Sequence, residues 1–139
     1  MAWSNFCAAR CRSPAAQLIG MALESFAPGE AVVVLQADAR HGNPMGTVQG
    51  GLIAALADAA MGWAFMTTLA EGESYTTLEM KINFLKPVWK GRVTARGRVR
   101  KAGRTVGLVE CDVVDSEDGL VAHALGTCMI LRGQQASGR

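Results

Sequence analysis

Histidine is scarce in this chain: His41 and His123 are the only two among 139 residues. No GxSxG elbow accompanies them, so a Ser-His-Asp triad has no local support. A GxGxxG following a strand and a P-loop are also missing, which leaves dinucleotide and nucleoside triphosphate binding without a motif. The four cysteines, Cys7, Cys11, Cys111 and Cys128, make no CxxC pair and no Cys/His cluster at zinc spacing, so no metal is expected. A membrane span needs ~20 clean apolar residues. The longest run, Leu52 to Met66, has 15 and is interrupted by Asp58, so it reads as a buried helix. Neither sign of charge dominates, with 14 Lys+Arg against 12 Asp+Glu, which argues against a dedicated nucleic-acid binder. Polar residues from Ser4 to Arg12 break up the N-terminus as a signal peptide, and the scattered thiols fit a cytoplasmic location.

What the chain does have is apolar content, 50% of its residues, in a length that suits one domain. Residues 14–132 are expected to form that domain, between flexible tails at 1–13 and 133–139 that carry no apolar periodicity. Ser13-Pro14 is an N-cap and first-turn pair, and strands are expected at Gly20 to Ala27 and at Glu30 to Ala39, separated by the turn Pro28-Gly29. The segment His41 to Gly51 holds too much glycine to be regular and forms a loop, with His41 facing solvent. From about Gly51 to Leu69 the chain reads as a helix apolar on every face, which requires burial on all sides. Leu78, Met80, Ile82 and Phe84 then alternate with Thr77, Glu79, Lys81 and Asn83, as in a half-buried strand ended by Pro87. Long strands at Arg92 to Lys101, Thr105 to Asp115 and Leu120 to Leu131 complete a meander. The pattern predicts an α+β fold of about five to six strands, in which a curled antiparallel sheet wraps one hydrophobic helix.

Two chemical features lie on that helix. Gly50 and Gly51 open it, and free first-turn N–H groups can hold an oxyanion. Asp58 sits in its apolar middle, where desolvation would raise the carboxyl pKa and make a competent base or nucleophile. Gly51 and Asp58 are seven residues apart, about 10 Å along the axis at 1.5 Å per residue. One carbonyl carbon must lie within about 3 Å of both oxyanion donors and attacking group, so one helix cannot supply the two. Two copies with antiparallel helices about a two-fold axis would.

The run Asn43-x-x-Gly46-x-Val48-Gln49-Gly50-Gly51, then Ala57-Asp58, the stretch Thr76 to Pro87, and the late Asp118-Gly119 and Gly126-Thr127 resemble a hotdog-fold acyl-CoA thioesterase of the phenylacetate-pathway (PaaI-like) type. The similarity spans roughly Leu18 to Leu131. It implies a long helix wrapped by sheet, homodimers that pair into homotetramers, and hydrolysis of a small, medium-chain or aromatic acyl-CoA with no cofactor. By this resemblance Asp58 is the catalytic carboxylate, Gly50 the amide that polarises the carbonyl, and Asn43 a residue that positions carbonyl or water. Thr76 or Thr77 supplies a hydroxyl beside the carboxylate. Gln49 stands where the family usually has histidine, a neutral amide in place of a titratable ring. Gln49, Gly51 and Trp63 fall where substrate would pass. Arg98, Arg100 and Lys101, with Arg104, Lys86 and Lys90, are candidates for CoA phosphates. The alternatives are a hotdog hydratase or dehydratase, which should carry a histidine beside its carboxylate, and a non-catalytic acyl-CoA-binding module.

Overall fold

The computed structural model describes residues 13–138; the N-terminal tail expected up to residue 13 lies almost wholly outside them. A one-and-a-half-turn helix α1 (Pro14–Ile19) is capped by the Ser13 hydroxyl, which accepts the Ala16 N–H at 3.2 Å. Strands β1 (Met21–Ala27) and β2 (Glu30–Ala37) form a hairpin, and a 3₁₀ turn (Ala39–His41) leads through a loop to α2 (Gly50–Met66). Four strands follow: β3 (Ser74–Phe84), β4 (Gly91–Ala102), β5 (Val106–Val114) and β6 (Leu120–Leu131). All six join one antiparallel sheet in the order β1-β2-β4-β5-β6-β3, so β3 crosses from the helix to the far edge and pairs with β6. The curved sheet wrapped on one long helix is the hotdog fold, an α+β architecture. No helix among the described residues is long and apolar enough to cross a membrane.

The sheet closes on α2 because small residues stand where backbones meet. A Cβ on Gly97 of β4 would collide with the Ala60 carbonyl, so glycine there lets strand and helix touch. Leu56, Met61 and Phe65 project from α2 into the sheet and are fully buried, each worth about 1.5–3 kcal/mol relative to exposure.

Two expectations fail. The helix is not enclosed: Gly51 and Asp58 are exposed and Leu52, Ala54, Ala55 and Ala59 only partly covered, because one six-stranded sheet reaches around only part of a helix. His41 is no solvent-facing loop residue. It is 5% exposed, its Nδ1 accepts the Asp38 N–H at 3.0 Å, and its Nε2 meets the Ile19 carbonyl at 2.7 Å. That carbonyl ends α1 and lacks a helical partner, so the imidazole satisfies it while tying α1 to the loop before α2. After residue 132 the chain turns once as an exposed 3₁₀ helix, Gly133–Ala136.

Candidate active site

The first half of the site is backbone. Gln49 is the N-cap of α2, yet its side chain does not fold back over the helix end, and no acidic residue occupies the first turn. The N–H groups of Leu52 and Ile53 return to the Gln49 carbonyl at 2.9 and 3.3 Å, whereas those of Gly50 and Gly51 have no backbone partner among the described residues. A helix start carries roughly half a positive charge. Open and uncompensated, these amides suit a developing oxyanion.

Asn43 builds the loop that fixes this helix start. Its Oδ1 accepts the N–H groups of Met45 (2.9 Å) and Thr47 (3.2 Å), and its Nδ2 donates to the Thr47 hydroxyl at 2.8 Å. These bonds engage the side chain in shaping the loop, and the residue also lines the pocket beside the helix start. Between loop, helix start and the end of β3 lies a pocket of about 350 Å³, lined by Asn43, Gly50, Phe84, Lys86, Val88 and Val121 among others. The Phe84 ring rests against Gly50, where a Cβ would come within 3.3 Å of it.

The second half is a side chain two turns on. Asp58 is open to solvent on one side, but the surrounding helix and strand strip away enough water to raise its carboxyl pKa. The neighbouring Thr77 hydroxyl, which favours the charged form, pulls in the opposite direction, more weakly. Strict alternation put Thr77 on the face away from Met80, Ile82 and Phe84. The ladder to β6 shows why it is not there: Thr77 pairs with Cys128 and Glu79 with Thr127, so Leu78 is an extra residue. This bulge flips the register and brings Thr77 to the helix side of the sheet, its Oγ1 4.0 Å from the Cys128 sulfur. Thr76, paired with Met129, takes the opposite face. Tyr75 stacks edge-on against Phe65 with centroids 5.7 Å apart, and its hydroxyl fills the notch left at Gly62, one turn past Asp58. Burial, with the nearby Cys128 and Asp58, drives its phenol pKa upward. Neither Tyr75 nor Phe84 was among the site residues expected from sequence. Only the pairing of α2 with β3 brings them in.

The two halves stay apart in one chain. Gly50 and Asp58 are separated by about 12 Å of helix, and on β3 Phe84 stands beside the first and Thr77 beside the second. The remaining sequence candidates scatter. Gln49 and Gly51 are exposed at the helix start. Trp63 is half-buried and lines a separate small pocket of about 80 Å³ with Ser13, Ala16, Met21 and Ala59. Arg98 and Arg100 pair with Glu110, and Lys101 lies opposite Leu108, on the β4–β5 ladder. None of these six is among the residues that line the Gly50 pocket.

The family model described as "Thioesterase superfamily" matches residues 45–122, more than half the chain, and the protein belongs to that family of thioester hydrolases. It is similar to human acyl-coenzyme A thioesterase 13, with 29% identity over 107 residues covering 76% of each chain. Among solved structures it resembles the PaaI protein of the E. coli phenylacetic acid degradation operon (TM-score 0.85, 28% identity, 95% of this chain and 94% of that one). It also resembles a thioesterase from Haemophilus influenzae (TM-score 0.86, 26% identity, 93% and 90% coverage).

Proposed function

We propose that the protein hydrolyses a small, medium-chain or aromatic acyl-CoA to the free acid and CoA in the cytoplasm, at sites shared between two copies of the chain. The observation that carries this reading is the separation itself: open amides at one end of the α2–β3 pair, a carboxylate of raised pKa at the other. β3 is a sheet edge, and Leu78 (53% exposed) and Phe84 (56%) leave apolar surface along it. Antiparallel pairing of two β3 edges, with the two-fold near Met80 and Lys81, sets the Thr77–Leu78 end of one strand beside the Ile82–Phe84 end of the other. Asp58 of one copy then meets the Gly50 pocket of its partner, twice per dimer. Two such dimers pairing would give the homotetramer.

In the reaction, the thioester carbonyl oxygen accepts hydrogen bonds from the helix-start amides. The Asp58 carboxylate takes a proton from water as the hydroxide oxygen adds to the carbonyl carbon. The oxyanion collapses, the C–S bond breaks, and the thiolate leaves and is protonated. Because a thiolate is a good leaving group, one base and one oxyanion site suffice, and no cofactor is required. The Thr77 hydroxyl holds the carboxylate in place. Asp58 acting as nucleophile through an anhydride uses the same geometry.

The test is free-thiol release from a panel of acyl-CoAs by the wild type and by Asp58→Asn. Turnover by the wild type and a loss of about 10²-fold or more in the variant are expected. Binding across the panel without turnover would instead make the protein an acyl-CoA-binding module, the reading that Gln49 in place of histidine favours.

A further inference from the structure

Of the described residues lining the Gly50 pocket, Lys86 alone carries a charged side chain. Its backbone is firmly placed, since the N–H groups of Leu85 and Lys86 both donate to the Val121 carbonyl at 2.8 and 3.2 Å. Its ammonium is held 2.5 Å from Asp115 Oδ2, and the two side chains crowd the place a Cβ would take on Gly119. Asp115 has other partners. Its Oδ1 accepts the N–H groups of Glu117 (3.0 Å) and Gly119 (2.8 Å) and so caps the turn between β5 and β6 whether or not the lysine is present. The Lys86 side chain, by contrast, is 46% exposed and its ammonium has no other hydrogen-bond partner among the described residues, with Glu117 adding only a weaker attraction. The acid therefore keeps its structural role if the lysine departs, and the lysine is free to exchange one anion for another.

The rest of the pocket is largely apolar along Phe84, Leu85, Pro87 and Val88, a wall suited to an uncharged arm that ends in charge. We propose that Lys86 recognises a phosphate of the CoA moiety, leaving Asp115 for it as the pantetheine arm settles against that wall. This deepens the thioesterase reading and rests on it. It also distinguishes Lys86 from Arg98 and Arg100, which pair with Glu110 outside the pocket.

The experiment compares two substrates with the same acyl group, the CoA thioester and the N-acetylcysteamine thioester, which has no phosphate. For the CoA thioester, Lys86→Ala should raise KM roughly tenfold more than it raises KM for the short thioester, with kcat little altered, as expected for loss of one charge-assisted contact. Added salt should raise the wild-type KM for the CoA thioester and leave that of the variant nearly flat. Lys86→Arg should recover most of the affinity, and its melting temperature, with that of Lys86→Ala, shows whether either variant is folded. Equal KM changes on both substrates, or no change on either, overturn the proposal. If the wild type turns over neither thioester, it is the thioesterase reading that fails.

Discussion

The two ends of the α2–β3 pair are built on opposite principles. At the Gly50 end the functional groups are backbone amides, and the work of nearby side chains is to leave them open: Gln49 declines to cap, Asn43 shapes the loop, and Phe84 packs on a residue without a Cβ. At the Asp58 end the functional group is a side chain, tuned by its surroundings and by the Thr77 hydroxyl. A backbone site tolerates changes of side-chain identity, including that of the exposed Gln49, provided the helix start survives. A carboxylate site depends on one residue and on whatever sets its pKa. Substitution should therefore act on the two ends in different ways.

The strongest way to break the comparison is to inactivate each end in a different chain. Asp58→Asn and Gly50→Val should each be nearly inactive alone. Co-expressed, they form heterodimers in which one of two sites pairs an intact Gly50 with an intact Asp58. Random pairing makes half the dimers mixed, so activity should return to about a quarter of the wild type. No recovery in confirmed heterodimers would place both halves within one chain and end the shared-site reading.

Thr77→Val tests how the carboxylate end is tuned. It removes a hydroxyl that favours the charged form, so the Asp58 pKa should rise further. Activity is lost on the acid side as Asp58 is protonated. The acid limb of the kcat/KM profile should therefore move to higher pH, with a loss of up to about tenfold within the pH range of that limb. An unmoved limb would detach Thr77 from the carboxylate.

The smallest expected effect is on stability. A carboxyl whose pKa is raised by folding binds its proton more tightly in the folded state, so its ionisation opposes folding as pH rises from the unfolded value through the folded one. Asp58→Asn removes that opposition. Its melting temperature at pH 7 should exceed the wild type's by a few degrees at most, and the gain should vanish below about pH 4, where both states of the wild type are protonated. A variant less stable at pH 7 would mean that the contacts of the Asp58 carboxylate stabilise the fold by more than its desolvation costs.

Much of the fold was legible from local pattern. The β-branched runs, the period-two stretches and the turns at Pro28-Gly29 and Asp118-Gly119 mark strands because side-chain alternation and turn chemistry are local properties, and Leu120–Leu131 ends where its pattern does. Pattern reading failed where one residue broke the period. Leu78 looks like a regular member of an alternating strand, and only its mismatch with β6 makes it a bulge, which places Thr77 rather than Thr76 on the Asp58 side. His41 escapes local pattern for a related reason: a polar residue in a glycine-rich loop looks solvated, and only the fold brings the carbonyl at the end of α1 to its Nε2.

By itself the sequence determined the helix with its two glycines and its lone carboxylate, and the distance between them, because helical rise is the same in any fold. Only the tertiary structure decided what surrounds them. The order β6-β3 leaves β3 at an edge, the bulge turns the Thr77 hydroxyl toward the carboxylate, and the Gly50 pocket takes its far wall from Phe84 and Val121 and its one charge from Lys86. Those are contacts between residues far apart in the chain, and no local periodicity encodes which strand edge is left unpaired.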